Sequence, residues 1–123
     1  MTDKPEIDFP EGPPPSDLEI TEIAEGSGDE ATSGSTVSVH YVGVAHSTGE
    51  EFDASYNRGE PLDFRVGIGQ VIQGWDQGIL GMKVGGRRQL VIPPDLAYGA
   101  QGYPPDIAPN ETLVFVVDLV SVS

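Results

Sequence analysis

Imidazole and thiol side chains, which often act in nucleophilic, acid–base or metal chemistry, are scarce in this sequence. His40 and His46 are its two histidines, and it contains no cysteine. No serine lies in a G-x-S-x-G turn, and neither an H-E-x-x-H motif nor an EF-hand loop is present. Carboxylates are so abundant, at 20 Asp+Glu, that a pair of them carries little information. These observations disfavour a hydrolase and a metal site, and we expect no cofactor.

Two further patterns involve glycine and aromatic residues. Gly67-Ile68-Gly69 is similar to the start of a dinucleotide-binding fingerprint, but the third glycine and the surrounding βαβ unit are missing, so we predict a turn. Seven of the nine aromatic residues stand out, because each lies beside a glycine, a proline or a predicted strand end. On pattern alone they are the usual content of a hydrophobic core, and a binding pocket is the alternative. They are Tyr41, Phe52, Phe64, Trp75, Tyr98, Tyr103 and Phe115.

The segments that must position these residues are mostly strands. Apolar and polar residues alternate over 36–44, where Val37, Val39 and Tyr41 share one face. Gly, Asn and Pro separate the strand signals. Further strands are predicted at 18–21, 51–56, 62–66, 87–92 and 112–122.

One stretch has helical spacing instead. Its apolar residues fall at 71, 72, 75 and 79, although Gly74 and Gly78 weaken a helix, so tertiary packing must hold it. One short helix among about five antiparallel strands predicts an α+β fold, with the helix packed on one face of the sheet.

Length and composition limit the remaining possibilities. The 123 residues fit one domain, and the net charge of -14 disfavours nucleic acid and anionic membranes as partners. The sequence shows no signal peptide and no membrane span, so we expect a cytoplasmic monomer. Residues 1–17 are rich in proline and acid, which predicts a flexible tail before a domain at 18–123.

Five segments together carry a specific signal. They are Val39–Gly43 (V-x-Y-x-G), Phe52–Ser55 (F-D-[SA]-S), Val71–Ile79 (V-I-x-G-W-[ED]-x-G-[LIV]), Gly81–Arg88 (G-M-x-x-G-[GE]-[KR]-[RA]) and Ile92–Gly99 (I-P-P-x-L-A-Y-G). In this order the chain resembles the FKBP-type prolyl isomerases in their minimal single-domain form. The resemblance covers about Leu18 to Val122.

The resemblance implies a five-stranded antiparallel sheet wrapped around one short helix, with a shallow apolar pocket between them. Trp75 would form the floor, and the Ile72 N–H and the Tyr98 hydroxyl would donate to substrate carbonyls. Asp53, held by Arg58, would face the pocket. The implied catalytic residues are Tyr41, Phe52, Asp53, Trp75, Tyr98 and Phe115. The implied substrate-binding residues are Arg58, Leu62, Phe64, Val71, Ile72, Ala97, Tyr103 and Ile107.

Three departures from the family pattern bear on ligand binding. Leu62 stands where many members have Phe, and Tyr103 stands where a His is common. Pro105 and Asp106 occupy a loop tip that is usually Gly and apolar, so a carboxylate at the rim could weaken binding of apolar macrolides. The loop after Tyr98 is short and has no room for an inserted chaperone domain.

The implied reaction needs no acid or base, because rotation about an X–Pro bond breaks no bond and moves no proton. An apolar pocket that favours the twisted amide would suffice. The implied partners are X-Pro-containing peptides, unfolded proteins and macrolides such as tacrolimus and rapamycin. A Pro-peptide binding module without turnover and a folding helper acting through apolar surface are the alternatives. Phe9–Pro10 in the tail could itself dock in the pocket.

Overall fold

The computed structural model describes residues 4–5, 7, 12–103 and 107–123. Two short 3-10 turns lie at Ser55–Asn57 and Pro94–Leu96. In the described part of the chain, no helix has the length and apolar character needed to cross a membrane. The regular elements are β1 Glu19–Ala24, β2 Thr36–Ala45, β3 Glu51–Ala54, β4 Leu62–Arg65, α1 Gln73–Ile79, β5 Arg87–Ile92 and β6 Leu113–Val122.

The strands form one antiparallel sheet in the order β1-β5-β6-β2-β3, and β4 also pairs with β2. β3 pairs with residues 42–44 and β4 with residues 36–39, so both lie along the same edge of β2. The turn Ser55–Asn57 separates them. The predicted α+β fold is confirmed. The sheet has six strands where the resemblance implies five, because β3 and β4, which were predicted as separate segments, lie end to end along one edge.

The helix approaches β5 closely because two of its positions lack side chains. A Cβ on Gly74 would lie 2.5 Å from Ile92 Cγ2, and one on Gly78 would lie 2.7 Å from Leu90 Cδ2. Ile92 and Leu90 are fully buried. The two glycines that disfavour a helix by propensity therefore permit the packing that holds it.

The sheet is buried on both of its faces near the centre. Val39 belongs to the core on the side that α1 covers. Val42 and Val44 point to the opposite side, where Val116 and Val114 are their cross-strand partners. These four valines, which we call the outer face, are only 2–5% exposed. An apolar sheet face that is buried in this way needs a cover other than α1.

A buried charged cluster fixes the turn between β3 and β4. The Asp118 carboxylate is 1% exposed and accepts hydrogen bonds from Arg87 Nε at 2.6 Å and from the Tyr56 hydroxyl. Burial, followed by the hydrogen bond to Asp118, raises the pKa of Tyr56. His40 stacks on the Tyr56 ring at 4.6 Å and contacts Ser55 Oγ through Nδ1 at 2.9 Å. The turn is thus attached to both β2 and β6.

Part of the predicted tail lies against the sheet. Lys4 and Ile7 line a cavity together with Val42 of the outer face. The domain boundary after residue 17 and the flexibility of the tail stay predictions. Phe9–Pro10, the predicted pocket-docking dipeptide, lies outside the described residues.

We expect Gly74→Ala to destabilise the protein by roughly 1–3 kcal/mol, although alanine favours a helix, because the added methyl overlaps Ile92. Gln77→Ala is the matched control, since Gln77 is exposed on the same helix. Urea unfolding of both variants measures the effect. Equal stability of the two variants would contradict the close-packing explanation.

Candidate active site

A cavity of about 440 Å³ opens between α1 and the sheet face that it covers. Every residue predicted to be catalytic lines this cavity, together with three of those predicted to bind substrate. Gly69 and Gln70 also line it; Gly69 was predicted only as part of a turn, and Gln70 was not predicted to have a role. The lining consists of Tyr41, Phe52, Asp53, Leu62, Gly69, Gln70, Val71, Ile72, Trp75, Tyr98 and Phe115.

The floor of the cavity is Trp75, which α1 presses into a cluster of aromatic rings. Its indole meets Tyr41 and Phe115 edge-on, with ring centroids 4.9 and 5.2 Å apart. Phe64 lies 5.7 Å away on the core side. Trp75 is 4% exposed, and its Nε1 has no hydrogen-bond acceptor among the described residues. The floor is therefore apolar and held rigidly by its neighbours.

The aromatic wall depends on a glycine in β2. A Cβ on Gly43 would lie 2.6 Å from Phe115 Cε1 and 2.7 Å from Phe52 Cζ. These two rings meet edge-on at 5.5 Å. Only a residue without a side chain leaves room for both rings at this point, which gives a physical reason for glycine in the Val39–Gly43 segment.

The polar edge of the cavity is a linked set of three side chains. The Tyr41 hydroxyl donates to Asp53 Oδ2 at 2.5 Å, and Arg58 Nη1 donates to Asp53 Oδ1 at 2.9 Å. Arg58 Nη2 also donates to the Tyr41 oxygen at 2.9 Å. The Asp53 and Arg58 side chains are 44% and 45% exposed, so solvent screens their attraction. Sequence reasoning paired Asp53 with Arg58 but missed the Tyr41 hydroxyl that joins them.

Two tyrosines stand at the mouth of the cavity. The Tyr98 ring lies 5.4 Å from that of Tyr103, and Tyr103 is 61% exposed. Burial raises the pKa of Tyr98, and the charges of Tyr103 and Asp53 raise it further. Burial also raises the pKa of Tyr41, as does its hydrogen bond to Asp53. Both hydroxyls consequently keep their protons at neutral pH.

The loop between β4 and α1 forms the remaining wall, and Asp76 of α1 holds it. Asp76 Oδ1 accepts from the Gly67 N–H and Oδ2 accepts from the Gly69 N–H, both at 2.8 Å. Both glycines have positive φ, at 85° and 84°, which is the predicted turn. Gln70 Oε1 accepts from the Arg65 N–H at 2.8 Å. The Gly-x-Gly pair followed by an acid in the helix is the signal that could have revealed this wall.

The other predicted binding residues lie behind or beside the cavity. Phe64 and Ile107 are buried in the core cluster, and Ala97 packs against that cluster next to Tyr98. Among the described residues, the Ile72 N–H donates to no protein acceptor. Pro105 and Asp106, the predicted rim residues, lie outside the described residues. No group of three His, Asp or Glu side chains in the described ranges could hold a metal ion.

The cavity thus has an aromatic floor and a polar edge, at which Asp53 is bound by Arg58. The family model of the FKBP-type peptidyl-prolyl cis-trans isomerases matches residues 28–120. The chain belongs to this family. Peptidyl-prolyl isomerisation is accordingly its enzymatic activity.

Two FK506-binding proteins of bacteria match the chain along nearly its whole length. An FK506-binding protein of Streptomyces anulatus is 67% identical over 121 residues, with 98% of both chains covered. A probable FK506-binding protein of Corynebacterium glutamicum is 52% identical over 119 residues, which cover 97% of this chain and 98% of the relative. The match therefore includes the N-terminal residues that precede β1.

Solved structures confirm the fold. The crystal structure of AtFKBP13 has a TM-score of 0.81 and 42% identity, and the match covers 89% of this chain and 96% of that one. FkpA from Escherichia coli has a TM-score of 0.78 and 47% identity over 86% of this chain and 48% of its own.

We expect Asp76→Asn to lower kcat/KM for a prolyl peptide by about fivefold, because an amide retains one acceptor where the carboxylate supplies two. The Gly67 and Gly69 amide resonances should shift. Asp29→Asn, at an exposed carboxylate, is the control and should change neither quantity. Unchanged kcat/KM in Asp76→Asn would show that Asp76 does not position the wall.

Proposed function

We propose that the cavity accelerates X–Pro rotation in protein substrates, and so assists folding, by holding the proline ring over Trp75 and favouring the twisted amide. The observation that carries this proposal is the packing of Tyr41, Phe64 and Phe115 around a buried indole. Such a floor offers a flat apolar surface but no group that could exchange a proton with the amide.

The physical basis is the loss of resonance during rotation. Amide resonance opposes rotation with a barrier of ~18–20 kcal/mol, and uncatalysed exchange takes tens to hundreds of seconds. A twisted amide has a less polar carbonyl than a planar one, so it loses less on leaving water. A dry aromatic surround therefore stabilises the twisted form more than the planar form, which is the condition for catalysis.

Fixed donors at the cavity would orient the substrate chain. The Ile72 N–H, which has no acceptor among the described residues, and the protonated Tyr98 hydroxyl are the two donors that we assign to substrate carbonyls. Holding the flanking peptide while the prolyl bond turns lowers the entropy cost of reaching the twisted state. Val71 and Leu62 would contact the substrate beside them.

We assign Asp53 to electrostatics rather than proton transfer. Both of its oxygens already accept hydrogen bonds, one from Tyr41 and one from Arg58. A carboxylate that is engaged in this way is a fixed negative charge at the cavity edge. It would act on the carbonyl dipole of the twisting amide, and Arg58 would keep it in place.

We further propose that X-Pro peptides, partly folded proteins and tacrolimus-like macrolides compete for this cavity. The Streptomyces and Corynebacterium relatives are named as an FK506-binding protein and a probable FK506-binding protein, which supports the proposal that macrolides bind. The smaller Leu62 should leave the macrolide with less contact than a Phe would. The monomeric state and the cytoplasmic location stay predictions.

We expect the protein to accelerate cis-to-trans conversion of a Leu-Pro-Phe reporter peptide, and tacrolimus to abolish the acceleration. A folded sample without acceleration would leave a Pro-peptide binding module. Acceleration that survives tacrolimus would overturn only the macrolide proposal.

Tyr98→Phe should lower kcat/KM by roughly three- to tenfold, because one hydrogen bond to substrate is lost. Leu62→Phe should tighten tacrolimus binding measured by calorimetry.

We expect kcat/KM to stay constant from about pH 6 to about pH 9 and to fall above about pH 10. The pKa of both Tyr41 and Tyr98 lies above the ordinary value of 10.0, so their hydroxyls donate throughout the neutral range. Because these pKa values are higher folded than unfolded, the protonated tyrosines stabilise the fold below about pH 10, and this stability is lost as pH rises through the folded values. A bell-shaped profile centred near neutrality would instead indicate acid–base catalysis.

A further inference from the structure

The buried valines of the outer face have neighbours from the N-terminal residues. Lys4, Pro5 and Ile7 line a cavity with Val42 and Val44. Pro5 and Ile7 are only partly exposed there. Apolar contact of this kind lowers the free energy of both surfaces by removing them from water.

Residues further along the N-terminal part lie near the same end of the sheet. Gly12 and Pro14, which are exposed, border a cavity with His46, Ser47 and Thr112, just beyond β2 and just before β6. After Pro14, Leu18 packs against the hydrophobic core. The N-terminal residues are therefore anchored to the domain at Leu18, next to β1.

Lys4 makes the polar contacts of this arrangement. Its Nζ lies 3.0 Å from Glu51 Oε1 and donates to Asn57 Oδ1 at 3.0 Å. Asn57 Nδ2 in turn donates to Glu51 Oε2 at 2.9 Å. Lys4 thus links the first residue of β3 to the last residue of the turn that follows it.

The segment held by Lys4 carries two residues of the active-site edge. Asp53 lies between Glu51 and Asn57, and Arg58 comes directly after Asn57. A β-bulge lies between the pairs Gly43–Asp53 and Val44–Glu51. In a regular strand Glu51 and Asp53 would share a face, but the bulge lets Glu51 join Val44 on the outer face while Asp53 lines the cavity.

We propose that residues 4, 5 and 7 dock on the outer face, and that Lys4 acts from there as a positioning residue for Asp53 and Arg58. β3 is a four-residue edge strand that pairs only with β2 among the described strands, so a contact from the outer face is needed to fix it. The effect on activity rests on the function proposed above. The docking itself does not.

A charge-swap experiment tests the ion pair in the full-length chain. Lys4→Glu and Glu51→Lys should each shift the Asp53 and Arg58 amide resonances and lower kcat/KM by about two- to threefold, a modest loss because the pair is partly exposed. The double variant Lys4→Glu/Glu51→Lys should recover most of both losses. Lys83→Glu is the matched control and should leave kcat/KM at the wild-type value.

Ile7→Ser tests the apolar docking while keeping Lys4. It should shift the Val42, Val44 and Asp53 amide resonances, whereas Ile20→Ser, at an exposed isoleucine of β1, should not.

If Lys4→Glu behaved like Lys83→Glu in both resonances and kcat/KM, the positioning role would be wrong. If Ile7→Ser left the Val42 and Val44 resonances unchanged, the docking would be wrong. An inactive wild-type protein would contradict the proposed function, and the resonances would still decide the docking.

Discussion

The close contact between α1 and the sheet is the constraint on which the rest of the structure depends. Gly74 and Gly78 bring the helix backbone against Ile92 and Leu90, at a distance that no larger residue would permit. At that separation Trp75 reaches the aromatic rings on the sheet and becomes the cavity floor. A seven-residue helix with two glycines has little stability of its own, so the contact that forms the cavity also forms the helix.

The chemistry of the cavity follows from the close contact between α1 and the sheet, which leaves the cavity floor apolar. Trp75 is almost completely buried and the rings around it are apolar, so the site offers a surface of low polarity rather than a proton donor and acceptor pair. The carboxylate in the cavity lining, Asp53, lies at one edge, where it is held by Tyr41 and Arg58. This separation suits a reaction in which the transition state differs from the ground state in polarity and shape, and not in protonation.

Period-two spacing predicted most strands, because alternate residues of a strand pack on the same side of the sheet. The predicted bounds of β5, 87–92, are those of the structure. The separate strands predicted at 51–56 and 62–66 are found as β3 and β4. Their pairing along one edge of β2 was not predictable, since it depends on which part of β2 each piece contacts. The motif resemblance supplied the cavity residues. Gln70 and the Tyr41 hydroxyl were missed because their partners depend on how the chain folds back, which local sequence does not reveal. Asp76 did have a local signal, since it follows the Gly67-x-Gly69 pair whose N–H groups it binds.

Both faces of the sheet are apolar, so other parts of the chain must pack on each of them. β3 contributes side chains to both faces. The bulge opposite Val44 divides the strand, so that Glu51 belongs to the outer face and Asp53 to the cavity. With only 6 Lys+Arg against 20 Asp+Glu, each cation has many acids available to it. Arg58 and Lys4 nevertheless both bind residues of this short segment, one from each face. Edge strands are the least constrained part of a sheet. Placing two of the few cations there restrains the edge strand that carries Asp53.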